Sequence, residues 1–397
     1  MRAPTPLIRF VHGSPRQPDA PTPESVPASG DAANAPDPVP ATDPHDGSGT
    51  LLNRKRITIG VVFVAAALGG LYFLLPKIAG LNQTWGKLRH GDPLWLALGA
   101  FLELLSVAGY AVLFRTVFGR DVPRVDWRAS IQIPLAGIAA IRLLAAAGAG
   151  GVAVTAWALS RAGLSSRVIA CRMVASYVVQ YLVYMGAIIV CGFGLRAGAL
   201  SGRAPFLLTT IPALLCCFII ALVASMALVP RDFERRLSRM ATRAGRIGRI
   251  AARFATAPAT VGAGVRTALG LMRERRLGLL GAVAYWGFDI AVLGVCFRAF
   301  GSVVPVAVLI IGYFLGTLGS LLPLPGGIGG VEGGMIGAFV AFGISADSAV
   351  IGVLAYRALS FWLPTLPGVA GYIALRNTVR RWRAEDDLAG AAQPQSR

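Results

Sequence analysis

Residues 321–334 read Leu321-Leu-Pro-Leu-Pro-Gly-Gly-Ile-Gly-Gly-Val-Glu332-Gly-Gly and lie between two apolar runs, 303–320 and 335–344. Two prolines and six glycines cannot hold a continuous helix. Proline lacks the N–H and clashes with the preceding turn, while glycine leaves the backbone unconstrained. The flanking runs are nonetheless apolar enough for membrane depth, where broken backbone survives only inside protein or beside a water-lined cavity. The stretch 303–344 therefore reads as a re-entrant hairpin of two half-helices, with Glu332 near the N-terminus of the second.

Composition sets the class. Mean hydropathy is +0.63, 55% of the residues are apolar and only 14% are charged, and several apolar runs are long enough to cross a bilayer. The chain reads as an all-α polytopic membrane protein. Its net charge of +19 would suggest nucleic acid in a soluble chain, but the arginines crowd into loops beside apolar runs, the positive-inside pattern, and no nucleic-acid partner is expected. Cys171, Cys191, Cys216, Cys217 and Cys296 all fall inside apolar runs without a Cys-x-x-Cys, and read as small lipid- or core-facing residues.

Residues 1–53 form a Pro/Ala-rich tail, with 11 of the 25 prolines before residue 51, that cannot bury enough surface to fold. It is not a signal peptide, since no charged segment leads directly into an apolar one. Arg54, Lys55 and Arg56 precede a first span at 57–75, which places the tail in the cytoplasm. Further spans follow at 94–114, 168–195, 206–229, 277–299 and 348–375, with a cytoplasmic tail at 377–397. Residues 130–159 are apolar but interrupted by Gly148-Ala-Gly-Gly151.

The basic loops test the broken-helix reading. The loop 230–276 carries 12 arginines and would fall outside if every apolar segment crossed once. If 130–159 is a second re-entrant hairpin, then 115–129, 160–167, 230–276 and the C-terminal tail all lie inside. The expectation is six spans and two hairpins in a membrane domain, 54–376. Its halves, 57–195 and 206–375, each read span, span, hairpin, span and run in opposite directions. Gly148-Ala-Gly-Gly-Val152 followed by Ala162-Gly-Leu-Ser165 has a counterpart in Gly327-Ile-Gly-Gly-Val331 followed by Phe342-Gly-Ile-Ser345. Inverted repeats with paired broken helices place a binding site near the membrane midplane.

The run Pro323-Leu-Pro-Gly-Gly-Ile-Gly-Gly-Val-Glu332-Gly-Gly, followed by a last span with Tyr356-Arg357 and Pro364, resembles the signature of a known family. These are the flippase-like membrane proteins related to the transmembrane region of lysylphosphatidylglycerol synthase. The resemblance covers 57–376. It implies a bacterial inner (plasma) membrane protein that moves a lipid or lipid-linked molecule between leaflets. Larger members add a soluble aminoacyl-transferase domain; the segment after 376 is too short to hold one, so lipid aminoacylation is not expected.

A charge at mid-bilayer costs about 2.5 to 3.5 kcal/mol on insertion scales unless paired or hydrated. Glu103, Asp289, Arg357, Arg142 in the first hairpin and Glu332 at the tip of the second all face that cost. Glu332 either caps its half-helix or forms a buried ion pair with Arg357 that opens when a headgroup enters. The glycines around it, Gly326, Gly327, Gly329 and Gly330, would bring backbone close to the ligand, and Arg357 suits bidentate phosphate contact. Asp289 and Glu103 either serve proton coupling or pair with Arg142 and Arg357. Arg172 and Arg298 near span ends read as snorkelling residues.

In 230–276, Leu237, Met240, Ala244, Ile247, Ala251 and Phe254 recur at helical spacing among arginines, as in a helix lying on anionic lipid. Tyr177, Tyr181 and Tyr184 share one face of their span and read as packing. The histidines, His12, His45 and His90, lie far apart outside the spans, so a histidine-based catalytic or metal site has no material, and neither enzyme activity nor a cofactor is expected. Membrane lipids, anionic phospholipid or a lipid-linked headgroup, are the expected partners, with a homo-oligomer left open. A carboxylate-based transferase acting on a lipid-linked substrate and an accessory scaffold subunit are the alternatives.

Overall fold

The structure, a computed structural model, describes residues 91–119, 122–143, 149–227, 260–321 and 327–391. The tail, the first span at 57–75, the amphipathic segment 237–254, Gly148 and Gly326 lie outside the described residues. The rest is helical, with no strand among the described residues. In chain order the helices are α1 (Pro93–Phe118), α2 (Trp127–Leu143), α3 (Ala149–Arg161), α4 (Ser166–Arg196), α5 (Phe206–Ala227), α6 (260–273), α7 (Leu280–Ala299), α8 (Val306–Thr317), α9 (Gly330–Ala341) and α10 (Ala346–Ala391). Short 3₁₀ turns precede α7 at Leu277–Leu279 and follow α8 at Leu318–Leu321.

Five of these helices are long and apolar enough to cross a membrane: α1, α4, α5, α7 with its 3₁₀ turn, and α10. Their outward faces carry Val190, Leu207, Phe218 and Leu280 at 60% exposure or more. In water such surfaces would drive aggregation; against hydrocarbon they are simply solvated. The chain is an all-α polytopic membrane protein.

The short helices form the two expected hairpins. α8 and α9 have 12 residues each, about 18 Å by helical rise and too short to cross a 30 Å core. They pack backbone to backbone, since a Cβ on Gly319 would stand 2.1 Å from the Gly330 carbonyl oxygen and one on Gly316 2.8 Å from Met335 Cα. α2 packs on α3 in the same way, with Gly151 against Ile141 and the Gly137 carbonyl.

The first break differs from the expected one. Ala149, Gly150 and Gly151 begin α3 instead of interrupting it, because these small residues serve the close α2–α3 approach. The last helix runs from Ala346 to Ala391, past the end of the span expected at 348–375. No proline or glycine follows Gly371 until Gly390, so nothing in that stretch stops it.

Both hairpins leave through the same backbone motif. After α3, Gly163 adopts φ +96° while Leu164 N–H donates to Leu159 O at 3.2 Å; after α9, Gly343 adopts φ +90° while Ile344 N–H donates to Phe339 O at 3.0 Å. This is the left-handed helix stop that glycine supplies without Cβ strain. Ser165 and Ser345 then precede α4 and α10, and their carbonyls accept from Ile169 and Ala349. The short sequence repeat is therefore a repeat of structure, bond for bond, at the exit of each hairpin.

The two ends of the bundle can be told apart by contacts. At one end Arg172 donates to Phe118 O at 3.0 Å, Gly264 packs on Val174, Gly262 packs on Met226, and Arg124 bonds Asp386. At the other end Asp92 N–H donates to Ala299 O at 3.0 Å, Gly202 packs on Val308, Gly343 packs on Arg203, and Ser302 bonds Ser348. The loops after α1 and α3, the described part of 230–276 and the end of α10 thus share one end. Each hairpin returns to the end from which it started.

Two apolar clusters fill the interior. One gathers Phe114, Phe118, Ile133, Leu159 and Trp382 around the first hairpin; the other gathers Phe297, Phe314, Met335 and Phe339 around the second. Between them, α1 and α7 cross backbone to backbone at Gly109 and Gly281.

Candidate functional site

The five ionisable residues singled out at membrane depth come together. Glu332 is 1% exposed in the first turn of α9, where its Oε2 accepts the Gly329 N–H at 2.7 Å. Its Oε1 accepts Arg357 Nε at 2.6 Å, so the capping role and the ion pair coexist on one carboxylate. Arg357 lies 11 residues beyond Ala346, about 17 Å along α10, which puts the tip of the second hairpin near mid-bilayer.

The tip of the first hairpin reaches the same stretch of α10 from the opposite end. Arg142, the penultimate residue of α2, donates through Nη1 to Phe361 O at 2.6 Å and to Thr365 Oγ1 at 3.2 Å. Pro364 and Pro367 remove the N–H donors of the Ser360 and Leu363 carbonyls on either side, and the Phe361 carbonyl between them accepts from Thr365 Oγ1 as well as from Arg142. Both guanidinium carbons stand over the Phe361 ring, at 5.4 Å for Arg142 and 5.5 Å for Arg357. A cation over an aromatic face in a desolvated place gains on the order of 2 kcal/mol.

Asp289 in α7 is 8% exposed and accepts hydrogen bonds from Tyr313 on α8 and, at 3.0 Å, from Tyr356 on α10. Glu103 in α1, 4% exposed, faces Asp289 across the α1–α7 contact, where Ser106 Oγ donates to Tyr285 O at 2.9 Å and Gly99 packs on Val292 and Val295, and it feels the Arg142 charge. Its Oε2 is buried with no hydrogen-bond partner among the described residues. Asp289 also feels both guanidiniums. Three carboxyls and two guanidiniums, drawn from α1, α2, α7, α9 and α10, thus form one buried cluster.

The glycines play a different part from the one expected. Gly327 and Gly329 take φ +66° and +86° to turn the chain into α9, and the Gly329 N–H is already held by Glu332. Gly330 is pressed against Gly319. The Glu332 carboxylate sits where an anion would otherwise meet this half-helix.

Sequence reasoning missed Tyr313, Phe361 and Thr365. The last two were readable, since Arg357, Phe361 and Thr365 recur every four residues and so share one helix face. Tyr313 carried no signal of its own. The tyrosines 177, 181 and 184 form a ring-to-ring run, with centroids 6.3 and 5.9 Å apart, leading from half-exposed Tyr177 to buried Tyr184. Tyr184 donates to Phe314 O at 2.9 Å. Arg172 bonds a carbonyl and Arg298 stacks over Trp95 at 5.6 Å, as end-of-span arginines do.

Comparison with known proteins agrees with this architecture. A UPF0104 membrane protein of Methanothermobacter thermautotrophicus is 27% identical over 334 residues, 79% of this chain and 93% of the relative. A second protein of the same description and organism is 39% identical over 111 residues, 28% of this chain and 32% of that protein. The family model of the lysylphosphatidylglycerol synthase transmembrane region matches residues 57–368, which include both hairpins and every member of the charged cluster. The chain belongs to the family of the lysylphosphatidylglycerol synthase transmembrane region.

Proposed function

We propose that this protein carries a lipid or lipid-linked molecule with an anionic headgroup between the leaflets of the cell's inner (plasma) membrane, with both termini cytoplasmic. The observation that carries the reading is the Glu332–Arg357 pair at the N-terminus of a broken half-helix near mid-depth. A phosphate arriving there finds a guanidinium and the positive end of α9, both now satisfied by one carboxylate. Exchange of that carboxylate for the headgroup keeps Arg357 paired while the headgroup passes. Acyl chains stay in lipid while only the headgroup passes through. The reading makes the protein a carrier and not a catalyst.

The test is leaflet-resolved lipid movement in proteoliposomes, comparing the native chain with Glu332→Gln and Arg357→Ala. Both variants should lose movement of anionic lipid while remaining folded. Equal movement in all three would remove the proposed site. Wild-type protein that moves no lipid but forms a product from a lipid-linked donor would replace transport with transfer chemistry.

A further inference from the structure

We infer that Glu103 and Asp289 hold a single exchangeable proton between them and that this proton travels with the headgroup. The second half of the inference rests on the transport reading; the proton site itself does not.

Geometry comes first. Glu103 is the eleventh residue of α1 and Asp289 the tenth of α7, and these two helices cross where Gly109 meets Gly281. The helices occupy the same place in the two halves, immediately before each hairpin. Two carboxyls from corresponding helices therefore face each other across the α1–α7 contact. Both are more than nine-tenths buried, and the Oε2 of Glu103 has no donor among the described residues. Two buried carboxylates facing each other across this contact repel unless a proton lies between them, and a shared proton supplies the missing donor.

The charge count gives the same answer. The groups facing the pair are Arg142 from α2, Tyr285 and Cys296 from α7, Tyr313 from α8, and Tyr356 and Arg357 from α10, with Glu332 from α9 bonded to Arg357. Three ionised carboxyls against two guanidiniums would leave one negative charge uncompensated at mid-bilayer. One proton makes the cluster neutral. An entering anionic headgroup strengthens the hold on a proton, so headgroup and proton move in the same direction. Release gives the proton to water on the side where the headgroup leaves, and uptake from the other side restores the pair.

Infrared spectroscopy of the full chain in lipid vesicles tests the site directly. The native protein at neutral pH should show the carbonyl stretch of a protonated carboxylic acid, shifted in heavy water. Glu103→Gln leaves two carboxyls and two guanidiniums in the cluster. The band should then vanish with no loss of melting temperature, and Asp289→Asn should act alike. Absence of the band in the native protein, its survival in both variants, or its loss on adding sodium at fixed pH would overturn the proton site.

The coupling is read by imposing a pH gradient on the proteoliposomes. An acidic exterior should bias anionic lipid toward the inner leaflet in the native protein and not in Glu103→Gln. Native lipid movement that ignores the gradient would overturn coupling and leave transport standing. A band that behaves as described in a protein that moves no lipid would overturn transport and coupling and leave the proton site.

Discussion

Arg357→Met is the sharpest probe of how the cluster is held. The substitution keeps a long apolar stem beside Phe361 but strips Glu332 of its 2.6 Å partner at 1% exposure. Removing one member of a buried pair costs about 3 to 5 kcal/mol, because the other charge is left without compensation. A loss of that size corresponds to a melting decrease of roughly 4 to 6 °C for a chain of 397 residues.

Thermal unfolding followed by tryptophan fluorescence in lipid nanodiscs supplies the measurement. The double variant Arg357→Met/Glu332→Gln should melt above Arg357→Met, since the glutamine oxygen still accepts from Gly329 N–H and the stranded charge is gone. A melting change under about 2 °C at pH 7, or a double variant worse than the single, would refute the buried-pair account.

Three further outcomes follow from the packing and the contacts at the hairpins. Gly319→Ala drives its methyl 2.1 Å from the Gly330 carbonyl oxygen and 2.7 Å from Val331 N, atoms that cannot rotate away, so it should lose at least the ~1–3 kcal/mol of ordinary overpacking. Gly337→Ala, with no atom within 4 Å, should melt at or above the native temperature in the same assay. Arg142→Lys cannot reproduce the planar contacts to the Phe361 carbonyl and ring, and should lower stability by about 1.5 to 3 kcal/mol, read as a melting drop of several degrees.

Much of this architecture was legible because membrane depth penalises two things severely: broken backbone and bare charge. The glycine–proline run announced a break, and the side-chain charges inside apolar runs marked Glu103, Arg142, Asp289, Glu332 and Arg357 before any contact was known. Their convergence followed from the hairpin reading, since both tips had to stop partway. What escaped was decided by tertiary packing. Gly150 and Gly151 look like helix breakers in a sequence, but they begin a helix because a neighbouring helix presses against them. Gly330 looks like a phosphate cradle for the same reason, and Gly319 occupies the space. Tyr313 is an ordinary aromatic in an apolar run until α7 brings Asp289 beside its hydroxyl.

The length of α10 has a mechanical consequence. Beyond Pro367 the helix continues for 24 residues to Ala391, a rod of about 36 Å. Its near end is the proline-softened turn that touches both hairpin tips, and its far end is tied to the loop after α1 by Arg124 and Asp386. A swing of about 5° at the prolines would carry the rod's tip about 3 Å sideways. A rearrangement around Phe361 that tilted α10 would have to carry its packing on Leu135 and Ala139 with it, and would be magnified at the surface.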